Sequence, residues 1–281
     1  MVKLLIKFYI LTENCAKKRG ILSEHGLSML IEVDGYKVLF DTGPTDVFLK
    51  NAKANGVDIA TVDTLVLSHG HYDHTGGVHE FCRLNEKAKV YIHPDAFYER
   101  YNSVDGKPVR ENIGIPWKAT DGFAESRLVF SKLPVQIKDN ILISGEILRL
   151  NGFQDTTPNF VFKSENSFKR DYVIDEQFIA VEGSMGIYVF VGCSHPGIIN
   201  CIGYAERLFP NKKITAVIGG MHLDKISSSK LSEIIMTFKD KEIDKIIPLH
   251  CTGSMASCEI KRQMGDRCIL SSCGDEIVLE G

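Results

Sequence analysis

The densest chemistry in the chain is the run His69-Gly70-His71-Tyr72-Asp73-His74, placed directly after the apolar stretch Thr64 to Leu67. Neutral imidazoles are good ligands for zinc, iron and similar ions, and a carboxylate among them compensates the cation's charge. In an extended turn His69 and His71 project to the same side, because side chains alternate with period two. Asp73 and His74 follow where the next helix begins, so they can serve a second position beside the first. Turnover is expected to depend on Asp73, the only anionic side chain in the run. A solvated polar loop is the plain alternative, and so dense a set of donors argues against it.

Three more histidines repeat one placement. His195 follows the apolar run Ile187 to Val191, His222 follows Ile214 to Ile218, and His250 follows Ile246 to Leu249. Asp41, in Leu39-Phe40-Asp41-Thr42-Gly43, sits at another such junction. Loops at strand ends are how a rigid scaffold gathers a site from distant positions. The candidate ligands are therefore His69, His71, Asp73, His74, His195, His222 and His250. Gly219-Gly220 ahead of His222 let the backbone approach a neighbouring loop. His222 is thus expected at the metals, as a ligand or as a neighbour of substrate. His25 and His93 are candidates for substrate contact, whereas His79 falls within a helix pattern and is expected in solvent.

The elements that must position these residues alternate through most of the chain. Lys3 to Leu11, Thr64 to Leu67 and Lys89 to Ile92 read as strands. Ser28 to Val33 and Tyr36 to Phe40 flank Asp34-Gly35, a strong hairpin signal. Helices are expected from Pro44 to Gly56 and from Gly77 to Leu84. Later, Phe178 to Val181 and Ile187 to Val191 form a second hairpin around Gly183. Helices at Ile198 to Leu208, Ser228 to Lys239 and Ser254 to Met264 then alternate with strands at Ile214 to Ile218 and Lys245 to Leu249. Between them, residues 101–175 show only short strand-like pieces, Leu128 to Phe130 and Ile141 to Ile143, among Gly106-Lys107-Pro108, Ile115-Pro116-Trp117, Asn151-Gly152 and Thr157-Pro158. A long irregular segment inside a domain usually binds something. Arg100, just ahead of it, and Arg110, Lys118, Arg149, Lys163, Lys169 and Arg170 within it supply basic side chains, and Arg149 and Arg170 are the chosen candidates for a substrate phosphate. The pattern is one α/β domain over residues 1–281.

Composition narrows the function classes. In 281 residues, 44% are hydrophobic and 25% charged, values of a globular chain with a sizeable core. A net charge of −3 supplies no basic field for nucleic acid or acidic membrane. No apolar run approaches the roughly 20 residues of a membrane span, and the lysine-interrupted start is no secretory signal, so a cytoplasmic location is expected. The eight cysteines form no C-x-x-C pair and are expected reduced and mostly buried, with Cys193 and Cys251 set apart by their histidine neighbours. No G-x-S-x-G elbow, Walker loop or dinucleotide fingerprint competes.

Leu39-Phe40-Asp41-Thr42-Gly43, the H-x-H-x-D-H run and the isolated later histidines resemble the metallo-β-lactamase-fold superfamily over nearly the whole chain. Glu24-His25-Gly26-Leu27-Ser28, Gly192-Cys193-Ser194-His195-Pro196-Gly197, Gly219-Gly220-Met221-His222-Leu223 and Leu249-His250-Cys251-Thr252-Gly253 resemble a narrower branch. It is named after 7,8-dihydropterin-6-methyl-4-(β-D-ribofuranosyl)aminobenzene 5'-phosphate synthase, and its members are often described only as metal-dependent hydrolases. The resemblance implies a four-layer αββα sandwich holding one or two divalent ions: zinc first, manganese or iron as alternatives. His69, His71 and one later histidine would hold the first ion, and Asp73, His74 and His250 the second. Asp41 would buttress the ligand loop. The family's bridging aspartate, usually in a Gly-Asp pair after a strand, is missing, with Cys193 or His222 nearest to that role.

The expected function is a metal-dependent hydrolase or synthase acting on a phosphorylated small molecule. One alternative is a non-catalytic metal-binding or ligand-sensing protein of the same fold. Another is a redox di-iron centre, which resembles chains with a ligand glutamate and a flavin domain that are not seen here. β-Lactam hydrolysis is not expected without a secretion signal.

Overall fold

Strands buried on both faces must be apolar almost throughout, and the longest strands of this chain are. The computed structural model describes residues 4–109, 111–122, 125–150 and 159–281. One sheet has seven strands in the order Glu276–Glu280, Leu5–Thr12, Ser28–Val33, Tyr36–Phe40, Thr64–Val66, Lys89–Ile92, Leu128–Phe130. A second has six, in the order Lys245–Leu249, Ile214–Gly220, Gly186–Val191, Ile179–Gly183, Ile141–Ile143, Val135–Lys138. The two sheets pack face to face. Ile6, Phe8, Ile10 and Phe40 of the first meet Ile179, Phe190, Ile218 and Ile247 of the second. Phe8 and Phe190 touch edge to face with ring centres 5.3 Å apart.

The alternate residues face outward and are covered in turn. Tyr9, Leu11, Leu39 and Leu65 pack under the helices Val47–Ala54 and Val78–Leu84 through Phe48, Val78 and Phe81. Ala180, Val189 and Val217 pack under the helices Ile198–Leu208, Ser228–Asp240 and Ser254–Met264. The result is the four-layer αββα sandwich. Burial on both faces explains the near-continuous apolar strands. At the first hairpin, Asp34 and Gly35 both take positive φ, as a two-residue turn between right-twisted strands requires.

Strand direction decides where the chemistry collects. Tyr36–Phe40 and Thr64–Val66 run parallel in the first sheet. Gly186–Val191, Ile214–Gly220 and Lys245–Leu249 run parallel in the second. Each of these five strands is followed by a loop bearing candidate site residues.

The segment 101–175 is more regular than its sequence suggests. Arg100–Val104, Lys107–Pro108, Phe160–Ser164 and Ser167–Arg170 build a third, four-stranded sheet in the order Ser167–Arg170, Phe160–Ser164, Arg100–Val104, Lys107–Pro108. All four residues of its strand Ser167–Arg170 are exposed, so no apolar alternation marks them as a strand. Arg110, Asn151-Gly152 and Thr157-Pro158 lie outside the described residues. The strand Glu276–Glu280, paired antiparallel with Leu5–Thr12, is a further element the pattern did not announce. Among the described residues no helix is long and apolar enough to cross a membrane.

Candidate metal centre

The ligand run hangs between Thr64–Val66 and the short helix Tyr72–Thr75, and buried Asp41 ties its ends together. The Asp41 carboxylate accepts from Ser68 N and Ser68 Oγ, each at 2.7 Å, and lies 2.6 Å from His74 Nδ1. With Nδ1 so engaged, His74 presents Nε2, 3.1 Å from Cys193 Sγ. Burial by itself would lower the His74 pKa, but the charges of Asp41 and Asp73 lift it to about 9. Ser68 Oγ also lies 2.9 Å from His69 Nδ1, leaving His69 Nε2 to face His71 Nδ1 at 3.0 Å.

An arginine anchors the same loop from below. Arg100 is fully buried; its Nη1 donates to Asp175 Oδ2 at 2.9 Å, its Nη2 donates to Asp175 Oδ1, and its Nε pairs with Asp171 Oδ2 at 2.8 Å. Asp175 Oδ2 also accepts from Gly70 N at 2.8 Å. Gly70 is required there, since a Cβ would overlap the Ala96 carbonyl and crowd Arg100. Burial, with Arg100 near, drives the His71 pKa down to about 3, so this imidazole stays neutral and free to ligate.

Glu176 organises the loop after Gly186–Val191. Its carboxylate accepts from the backbone N–H groups of Cys193 (2.8 Å), Ser194 (2.5 Å) and His195 (2.5 Å). Burial pushes its pKa up to about 7 even against these donors. On the opposite side, Asp73 Oδ2 lies 3.2 Å from His25 Nε2, 3.4 Å from His250 Nε2 and 3.9 Å from His74 Nε2. Asn14 Oδ1 fixes His250 through Nδ1 at 2.8 Å. Asp41, Ser194, His222 and His250 all take positive φ, at 61°, 60°, 50° and 48°. Such backbone is costly for non-glycine residues and clusters where a surrounding structure enforces a functional geometry.

The donors converge in sets whose ligand atoms lie within 4.8 Å of one another: His69, His71 and His195; His25, Asp73 and His250; and three sets that share Cys193. Those three are His69 and His74, His195 and His222, and His250 and Cys251, each with Cys193. Buried His71 Nε2 and His222 Nδ1 find no hydrogen-bond partner among the described residues. Nitrogen, sulfur and carboxylate donors at this density fit a divalent cation. A cavity of about 1130 Å³ opens beside them, and His25, His222, His250, Cys251 and Phe160 help to line it. Phe160, from the third sheet, sits with its ring centre 5.1 Å from His71 and 5.7 Å from His195.

The structure thus brings His69, His71, Asp73, His74, His195, His222, His250 and His25 together, with Asp41 behind them. Three sequence candidates stand elsewhere. His93 is fully buried and its Nδ1 accepts from Asp95 N, capping the turn Pro94–Phe97. Arg149 donates to the Tyr172 carbonyl, and the Arg170 guanidinium lies 4.8 Å from the centre of the Tyr172 ring. None of the three lines the cavity; Lys17, Lys225 and Lys230 do. Arg100, considered as a phosphate holder, is spent on two buried carboxylates. Glu176 and Asn14 were not singled out in the sequence. Asp175-Glu176, two adjacent carboxylates just ahead of an apolar run, was the signal available for the first.

Parallel strands of two facing sheets, delivering histidines and carboxylates to one edge between outer helix layers, define the metallo-β-lactamase fold. The chain belongs to the metallo-beta-lactamase superfamily, whose family model matches residues 24–202. It is 30% identical over 262 residues to the 7,8-dihydropterin-6-methyl-4-(beta-D-ribofuranosyl)-aminobenzene-5'-phosphate synthase of Methanocaldococcus jannaschii, covering 89% of each chain. A second, uncharacterized protein of that organism is 31% identical over 256 residues, covering 90% of this chain and 93% of its own. Among solved structures, Tm1679, described as a metal-dependent hydrolase of the beta-lactamase superfamily, superposes with a TM-score of 0.82 at 29% identity. That match covers 98% of this chain and all of the other.

Proposed function

We propose that the protein is a metal-dependent enzyme, a hydrolase or synthase, that acts on a phosphorylated small molecule with one or two divalent cations, zinc foremost. The observation that carries this reading is the pair of donor sets, His69/His71/His195 and His25/Asp73/His250, of which His25 and His250 line a cavity of about 1130 Å³. His69, His71 and His195 would hold one ion, and Asp73, His74 and His250 a second. A cavity of that size suits a small molecule. The phosphorylated class is supported by the name of the synthase relative and by three lysines on the cavity lining.

A bound divalent cation supplies Lewis acidity at a phosphoryl or carbonyl oxygen and lowers the pKa of water toward neutrality. The protein's own groups set the stage for that chemistry. Asp41 holds His74 by Nδ1, and Glu176 fixes the loop that carries His195. Phe160 packs its ring against those of His71 and His195. His25, with its side chain 62% exposed and 3.2 Å from Asp73, stands at the solvent boundary, where it can hold a proton.

The test is metal analysis of protein purified anaerobically, followed by assays on phosphomonoesters, phosphodiesters and phosphoribosyl compounds with that metal restored. Bound metal with turnover on a phosphorylated compound supports the proposal. Bound metal with ligand binding but no turnover favours the sensing alternative, and absence of any stoichiometric metal overturns both.

A further inference from the structure

We infer that Cys193 is the ligand shared by the two metal positions. The inference rests on the metal reading just proposed and adds the identity of the bridge. Cys193 Sγ lies within 4.8 Å of donors on both sides: His69 and His195 of the first position, His74 and His250 of the second. Among the described residues no other donor is shared so widely. His222, the other candidate, joins only the set with His195 and Cys193.

Placement and rigidity agree with this role. Cys193 is 3% exposed and follows Gly192 at the end of Gly186–Val191. A Cβ on Gly192 would overlap Ser68 Oγ, so glycine lets this loop close against the ligand run. Glu176 clamps the backbone on both sides of the sulfur through Cys193 N and Ser194 N. A sulfur held this firmly is pre-set as a donor. Cys251 Sγ, 3.6 Å from the Cys193 carbonyl, groups with Cys193 and His250 but with no residue of the first position. It can serve one ion at most.

A thiolate bridge changes the metal preference. Thiolate selects zinc, iron(II) or cobalt(II) over manganese or magnesium, which favour oxygen donors. The test is cobalt(II) titration of the metal-depleted full chain, read by the near-ultraviolet thiolate-to-cobalt charge-transfer band. Zinc X-ray absorption on the unaltered protein provides a reading that needs no variant. The expected band grows through both equivalents of cobalt, persists through both in Cys251→Ser and falls to one equivalent or less in Cys193→Asp, which keeps two metals. The zinc spectrum should show sulfur at about 2.3 Å. A band that saturates at one equivalent overturns the bridge, as does a band that still grows through both equivalents in Cys193→Asp. Two bound cobalt ions with no sulfur signal in either spectrum also defeat it, while leaving the metal reading intact. Failure to bind cobalt or zinc at all would instead remove the metal reading, and the bridge with it.

Discussion

A carboxylate flanked by three imidazoles is the residue on which the site's charge balance turns. Asp73 approaches His25, His250 and His74 within 3.9 Å, and no other anionic side chain of the ligand run can replace it. Asp73→Ala should therefore abolish turnover and weaken one metal far more than the other. Metal counting beside activity checks this, and full occupancy with normal activity would defeat the two-metal reading. Asp41 acts one step removed, through His74 Nδ1 and Ser68. Asp41→Asn should lower the affinity of one metal by roughly 10–100-fold, as losses of such supporting partners do. Competition with a chromophoric chelator measures it. For substrate, Lys225 and Lys230 line the cavity whereas Arg149 and Arg170 do not. Removing both lysines should raise KM for a phosphorylated substrate by roughly tenfold or more, on the usual worth of a charged hydrogen bond, while Arg149→Ala and Arg170→Ala leave it unchanged. The opposite pattern would return the phosphate to Arg149 and Arg170. At this scale the sequence announced imidazoles well, because histidines at strand ends are rare and patterned. It announced their supports poorly. Glu176 works by accepting three backbone N–H groups, an arrangement that leaves no mark in residue spacing.

At the scale of elements, legibility followed burial. The helices Ile198–Leu208 and Ser254–Met264 match their sequence ranges because one apolar face gives a clear 3.6-residue period. The hairpin at Asp34-Gly35 was equally plain. The third sheet was not, because Ser167–Arg170 is exposed throughout and packs no stripe. Its most buried residue, Arg100, looked like one more solvated cation in a basic stretch. In the fold it is the strut between that sheet and the ligand loop, held by Asp171 and Asp175. Arg100→Met would strand two carboxylates in the interior, and breaking a buried pair this way costs about 3–5 kcal/mol. Urea unfolding should show a lower midpoint with little change in slope. An unchanged midpoint would mean the pair contributes nothing net, and the Gly70 loop is then held by its own backbone.

At the scale of the whole molecule, the two sheets are joined by a shared apolar core along most of their length and by polar groups at one edge. Five strands from both sheets end there, so the donors on Ser68-to-His74 and those on Cys193, His222 and His250 belong to opposite halves of the sandwich. A cation bound between them cross-links the halves in the native state and has no comparable site in the unfolded chain. Stabilisation by such binding follows mass action, reaching about 2.7 kcal/mol when free metal stands at 100 times its Kd. For a domain of this size that corresponds to a rise in Tm of roughly 5 °C or more. Removing metal with a chelator should lower Tm by that amount, and restoring zinc should recover it. The His195→Ala and His250→Ala variants should each lose most of the difference, since each removes a ligand from the second sheet's side of the edge. Equal melting with and without metal in the unaltered protein would show that the core alone joins the sheets and that the edge carries no cation at the concentrations used.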